Sequence, residues 1–173
     1  ISLSLKQSQS MFIGVIVPEF VNSFFSEVIM GIQSVLNPEG YHVLIMQSNE
    51  SHENELRNMK ALEAQMVDGF LISVTQESEN TSYFSDLIWN NFPVVFFNRI
   101  CAELSAPHVV IDDYKWAFAA VEHLIQQGCR RIVHLAGSED LLIAQKRKNG
   151  YMDALRKYGL LVEESLIIDC GIM

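Results

Sequence analysis

The chain has 173 residues, 49% of them apolar and 19% charged, which is enough apolar material for a packed core and excludes wholesale disorder. Twelve Lys and Arg against 21 Asp and Glu leave a formal charge of −9, so the bulk surface repels a phosphate backbone and is not a nucleic-acid-binding face. No apolar run reaches the ~18 residues a membrane helix needs, and three scattered cysteines (Cys101, Cys129, Cys170) form no disulfide framework and read as thiols of a reducing compartment.

Residues 1–10 are polar with one cation, Lys6, and read as a linker rather than a secretory signal, although a removed signal leaves no trace. Met11 to Val17 is a continuous apolar run ending at Pro18, the pattern of a parallel strand buried on both faces. Phe25, Val28, Ile29, Ile32, Val35 and Leu36 then form one helical stripe, which Asn22 or Ser23 can cap and Asn37-Pro38-Glu39-Gly40 stops. Tyr41 to Gln47 is a second strand, and Leu56, Met59, Leu62 and Met66 mark a second helix. Phe70 to Val74 is a third strand, Phe84, Leu87 and Ile88 mark a short third helix, and Val94 to Phe97 is a fourth strand set off by Pro93.

An irregular polar stretch from Arg99 to Pro107 follows, and the cycle restarts. Val109 to Ile111 is a fifth strand. Ala117, Ala120, Val121, Leu124 and Ile125 mark a fourth helix closed by Gly128. Ile132 to Ala136 is a sixth strand, Tyr151, Ala154, Leu155 and Tyr158 mark a fifth helix closed by Gly159, and Leu166 to Ile168 starts a seventh strand. Because the chain stops just after that apolar run, it reads as a fragment. Alternating strands and helices predict an α/β fold with parallel sheets and right-handed crossovers. The connector divides it into an N-terminal lobe, 11–104, and the start of a C-terminal lobe, 105–173.

Open parallel sheets bind ligands outside the carboxyl ends of their strands. Here those ends lead to Glu19, Asn22, Phe24 and Phe25, then Ser48 and Asn49, Ser73 and Thr75, Asn98 and Arg99, Asp112 and Asp113, and Gly137-Ser138-Glu139-Asp140. Hydroxyls, amides, carboxylates and rings of this kind suit a small polar ligand, although strand ends are also polar simply because they are loops. Neighbouring helical positions point about 100° apart. Phe25 therefore joins the apolar stripe, and Phe24 is left toward the loop side, as a stray surface ring or a ligand platform. Lys146-Arg147-Lys148 falls at the expected start of the fifth helix, where cations are disfavoured, either as a solvated face or with one of them held by an anion or oxygen-rich ligand. Arg130-Arg131 reads as surface or interface.

Catalytic patterns are weak. No glycine-rich phosphate loop follows the first strand, Gly14 being alone within it, and no Gly-x-Ser-x-Gly elbow exists. The five histidines (His42, His52, His108, His123, His134) lack metal-ligand spacing. Asp112-Asp113 could hold a metal, but capping the fourth helix is the expected job.

These segments together resemble the effector-binding domain of LacI/GalR-type transcription regulators. The resemblance is carried by Ile13-Gly14-Val15-Ile16-Val17-Pro18 with Asn22-Ser23-Phe24-Phe25-Ser26-Glu27, by Val67-Asp68-Gly69-Phe70-Leu71-Ile72, and by Phe92-Pro93-Val94-Val95-Phe96-Phe97-Asn98-Arg99. It continues through Val110-Ile111-Asp112-Asp113, His123-Leu124-Ile125 to Gly128, Arg131-Ile132 to Ala136-Gly137, and Arg147-Lys148-Asn149-Gly150-Tyr151. It implies a periplasmic-binding-protein type I fold, two lobes with an effector in the cleft, a homodimer, and operator binding through a helix-turn-helix headpiece not contained in these residues. It also implies further chain that completes the second lobe. Phe24 and Phe25 match effector-contacting aromatic positions, Ser73, Asn98 and Asp112 match strand-end positions at or near the cleft, and Arg147 matches an arginine that reaches the ligand, where a charged hydrogen bond contributes about 1.5–3 kcal/mol. Two departures stand out. Asn98 occupies a position that is usually acidic, and Leu141, Leu142 and Ile143 would give the second lobe an apolar wall.

The expectation is therefore a cytoplasmic, non-enzymatic sensor of a sugar or similar effector, with no cofactor, no metal and no membrane contact. A secreted sugar-binding protein for transport shares the fold and is the alternative. A Rossmann-like enzyme is the more distant one, disfavoured by the missing phosphate loop.

Overall fold

The computed structural model describes residues 9–21, 23–76 and 78–170. The expected linker, but for its last two residues, and the expected cap Asn22 lie outside the described residues. Residue contacts divide the chain after Val110 into two compact units.

In the first unit, β1 (Phe12–Val17), β2 (His42–Gln47), β3 (Gly69–Ile72), β4 (Val94–Phe97) and β5 (His108–Val109) form one sheet in the order β2-β1-β3-β4-β5. Every pairing is parallel, with Ile16 opposite Met46 and Ile72, and Ile72 opposite Phe96. Such pairing needs a crossover between strands, and α1 (Ser23–Leu36), α2 (His52–Ala64) and α3 (Thr81–Trp89) supply it. Alternation along β1 divides the core. Val15 and Val17 meet Phe25 and Ile29 of α1 on one face, while Ile16 joins Met59 and Leu62 of α2 and Phe84 and Leu87 of α3 on the other. Gly14 lies where a Cβ would stand 2.8 Å from the Phe70 ring and 2.9 Å from a Leu62 methyl, so its missing side chain is filled by its neighbours.

The fifth strand corrects the sequence reading. It was expected at Val109 to Ile111 as the opening of the second lobe; it is His108–Val109, hydrogen-bonded to β4 as the edge of the first sheet. The stretch that looked like a boundary folds back instead, and its Ile100, Cys101, Leu104 and Ala106 pack on the first core. Their spacing is irregular because they belong to a loop, which hides their burial from a periodicity argument.

In the second unit, α4 (Asp113–Gln126) and α5 (Leu142–Lys157) accompany a two-stranded parallel sheet of β6 (His134–Ala136) and β7 (Ile167–Asp169). Val121, Ile125, Ile132, Tyr151, Ala154 and Leu155 form its core, and the Tyr151 hydroxyl donates to the Ile132 carbonyl at 2.9 Å. The helices approach so closely at Gly150 that a Cβ there would lie 2.4 Å from the Tyr114 carbonyl oxygen. α5 begins at Leu142, four residues before the expected start, because Leu142 and Ile143 continue its pattern. Lys146-Arg147-Lys148 consequently sits beyond the first turn, and the argument from cations at a helix start does not apply to it.

Candidate functional site

The parallel order brings the carboxyl ends of β1 to β4 to one edge of the first sheet. The chain leaves β2 and β4 through left-handed residues, Asn49 and Glu50 with φ of 55° and 54°, and Asn98 with φ of 58°. Asparagine tolerates that region; a glutamate there is held by other contacts. Glu50 takes the Arg99 guanidinium on both oxygens, at 2.7 and 2.9 Å, and accepts the Gln76 amide at 3.0 Å. The ends of β2, β3 and β4 are thereby tied through one carboxylate.

A second carboxylate braces the same edge. Glu55, in the first turn of α2, is completely buried. Its Oε2 accepts the Thr75 amide at 2.8 Å, and its Oε1 accepts the Ser78 hydroxyl at 2.6 Å and the Asn80 amide at 2.8 Å. Against this bracing, four buried side-chain polar atoms have no hydrogen-bond partner among the described residues: Ser73 Oγ, Thr75 Oγ1 and Arg99 Nε at this edge, and His134 Nε2 in the second unit. Buried polar atoms are satisfied in the great majority of cases, so three such atoms around two adjacent strand ends make this edge the candidate site.

The expected site residues fall out as follows. Ser73 lies at this edge, fully buried. Asn98 lies there too, half-buried, with its amide donating to the Val109 carbonyl at 3.0 Å. Phe24 is 48% exposed and stands edge-on to Phe25, ring centroids 5.2 Å apart. Phe25 is 2% exposed and packs on Phe97, so it is a core residue that supports Phe24 rather than an exposed ring of its own.

In the second unit, Asp112 caps α4 by accepting the Lys115 amide at 3.0 Å, as expected. Arg147 does not pair with Asp112. Its Nε donates at 2.7 Å to Asp113, which is 5% exposed, while the arginine side chain remains 48% exposed. A buried carboxylate thus anchors one edge of the guanidinium and leaves much of the side chain open to solvent. Lys148 pairs with Glu139 and lines a groove of about 600 Å³ beside β6 and β7 with Gly137, Met152 and Arg156. Next to it, His134 stacks on Tyr151 with centroids 5.0 Å apart; burial first, then the charges of Lys148 and Arg147, hold its pKa below the ordinary histidine value.

The sequence reading missed Glu50, Glu55 and the Asp113 anchor. Only Glu55 left a mark in the pattern: with Asn58, Met59 and Leu62 it occupies the buried stripe of α2, where an acid is out of place. Among the described residues, no group of three His, Cys, Asp or Glu side chains is placed to hold a metal ion, and no helix is long and apolar enough to cross a membrane.

Parallel strands, crossover helices and polar strand ends of this kind define the periplasmic-binding-protein type of α/β fold. Residues 10–171 match the family of periplasmic binding proteins and the sugar binding domain of LacI family, and the chain belongs to that family. It is 34% identical over 164 residues to the HTH-type transcriptional repressor CytR of Escherichia coli K12, covering 95% of this chain and 48% of that protein. It is 33% identical over 147 residues to the arabinose metabolism transcriptional repressor of Halalkalibacterium halodurans, covering 83% and 39%. Among solved structures it is similar to a sugar-binding transcriptional regulator of the LacI family from E. coli, complexed with phosphate, with a TM-score of 0.76, 26% identity, and coverage of 93% of this chain and 58% of that one. The chain spans about half the length of CytR and less of the arabinose repressor.

Proposed function

We propose that this chain is the effector-sensing part of a LacI-type transcription regulator, a cytoplasmic homodimer and not an enzyme, which takes a sugar or similar small polar molecule and alters operator binding by the whole protein. The two units stand as its two lobes. The observation that carries the reading is the cluster of polar atoms at the ends of β3 and β4, Ser73 Oγ, Thr75 Oγ1 and Arg99 Nε, which are buried without a partner among the described residues at the edge where parallel sheets take ligands. In the first unit Phe24 gives the ligand an apolar face and Asn98 an amide; Arg147, in the second, keeps the ligand-reaching role that the family resemblance implies. The acidic surface agrees with DNA contact through a separate headpiece rather than through these residues. Relatives named as an arabinose repressor and as a sugar-binding regulator favour a sugar as the ligand class.

Transmission to DNA requires a ligand to favour one of two states, and coupling of this kind is typically about 1–3 kcal/mol. A thermal-shift screen of the full-length protein against pentoses, hexoses, nucleosides and amino acids tests the reading. At 100 times its Kd a specific ligand adds about 2.7 kcal/mol of stability, a rise of several degrees. One chemical class is expected to give that rise and to change operator affinity. No rise with any class, or turnover of a nucleotide or sugar phosphate, would overturn it.

A further inference from the structure

Glu55 is a charge-bearing group buried without a salt bridge among the described residues. Burying a carboxylate is costly unless hydrogen bonds replace its water. All three donors that do so, the Thr75 amide, the Ser78 hydroxyl and the Asn80 amide, come from the connection between β3 and α3. Asn80 also donates to the His52 carbonyl at 2.8 Å, fastening the far end of that connection to the first residue of α2. The neighbouring amides of Thr75 and Gln76 go to two different carboxylates, Glu55 and Glu50. Glu50 is neutralised by Arg99, whereas Glu55 is satisfied by the connection alone.

Glu55 thus holds the connection at three points, with Glu50 on the Gln76 amide and the Arg99 carbonyl on the Val74 amide beside it. The connection carries two buried hydroxyls that have no partner among the described residues, Ser73 Oγ and Thr75 Oγ1. The Ser73 amide is fixed by the ladder, donating to the Ile16 carbonyl at 3.0 Å, but the Thr75 amide is fixed only by Glu55. A hydroxyl can discriminate between two sugars only if its direction is fixed, because a misaimed donor leaves both partners unpaired.

We infer that Glu55 is a positioning residue for ligand selection: by gripping the β3–α3 connection it fixes the Thr75 hydroxyl, and with it the pattern of ligand hydroxyls that this edge accepts. The inference rests on the function proposed above. It also explains why a carboxylate stands there, because three donors converge on two oxygens. Glutamine has one oxygen for all three, and alanine has none.

The test compares wild type, Glu55→Gln, Glu55→Ala and Met59→Leu in the full-length protein. Met59 is fully buried on the same helix and takes part in none of these three hydrogen bonds, so it reports general loosening of the core. Two readouts are taken: exchange of the Thr75 amide by NMR, and Kd for D-ribose, L-arabinose and a nucleoside panel by calorimetry. Glu55→Gln is expected to speed Thr75 exchange about tenfold and to change the ratio of affinities among the probes, with Glu55→Ala stronger on both counts. Met59→Leu is expected to leave the ratio where it was. A Thr75 amide as protected in Glu55→Gln as in wild type would overturn the positioning role, as would affinities that all fall by one common factor. Failure of wild type to bind any probe would overturn the proposed function instead, and the unliganded Thr75 exchange separates the two failures.

Discussion

The first unit buries both faces of a five-stranded sheet, with Ile16, Ile72 and Phe96 at 0–1% exposure, whereas the second places its core between two helices and leaves Leu135 and Ile168 of its short sheet 66% and 44% exposed. Their polar groups differ in the same sense. At the strand ends of the first, the buried Glu55 and the partly buried Glu50 hold the β3–α3 connection by several hydrogen bonds, and two buried hydroxyls have no partner among the described residues. In the second, the expected ligand arginine is gripped on one edge by Asp113 and is otherwise half in water. Where strands lie side by side, polar groups brace one another across the sheet edge; where a helix carries the charge, one partner holds it and the rest of the side chain meets water.

The largest expected effect is on the core of the first unit. Phe70→Ala removes the ring that fills the space above Gly14 and should cost about 3–5 kcal/mol. Hydrogen exchange resolved by residue should show the loss across β1 and β3. An equal loss in α4 and α5 would break the comparison, since the two units would then unfold as one.

Gly150→Ala is the complementary change. Its methyl would meet the Tyr114 carbonyl, which a backbone atom cannot avoid without shifting α4 against α5, at a cost of about 3 kcal/mol. Protection should fall in α4 and α5 and stay in β1 and β3. Unaltered urea unfolding would mean the helices are not so closely apposed.

A smaller effect sharpens the difference in charge. Burial and two nearby cations depress the pKa of His134, so the fold favours the neutral ring. That contribution is present above the free imidazole value of about 6.5 and is lost as pH falls below it. The urea midpoint of the second unit should therefore decline from about pH 6.5 toward the depressed value, and decline less in His134→Gln. Identical profiles for the two proteins would remove His134 from the account.

Much of the fold was legible because a parallel strand writes a continuous apolar run and a crossover helix writes a stripe. Val94 to Phe97 and the stripe through Phe25, Val28 and Ile29 need no tertiary information. Gly150 was legible only as part of a motif; its reason, contact with α4, is not. The fifth strand was assigned to the wrong lobe because a two-residue edge strand has no period to read. The candidate site was half legible. Ser73 and Asn98 follow from the rule that strand ends bind ligands, but the contacts that brace the same edge join residues far apart in sequence, Glu50 to Arg99 and Glu55 to Thr75, and no local pattern announces such pairs. Glu55 came nearest, as an acid on an apolar stripe.

The most direct measurement of the central claim, that these strand ends hold a small hydroxylated effector, is a calorimetric titration of full-length wild type and Arg147→Ala with the strongest stabiliser from the screen. Arg147→Ala leaves the buried Asp113 without its cation and should lower the unfolding midpoint, so both proteins are titrated well below that midpoint, with Arg147→Ala/Asp113→Asn as the control for stability. Saturable binding in wild type and its loss in both folded variants is the expected result. Equal affinity in wild type and Arg147→Ala would contradict the assignment of Arg147, and no saturable binding in wild type would contradict the central claim.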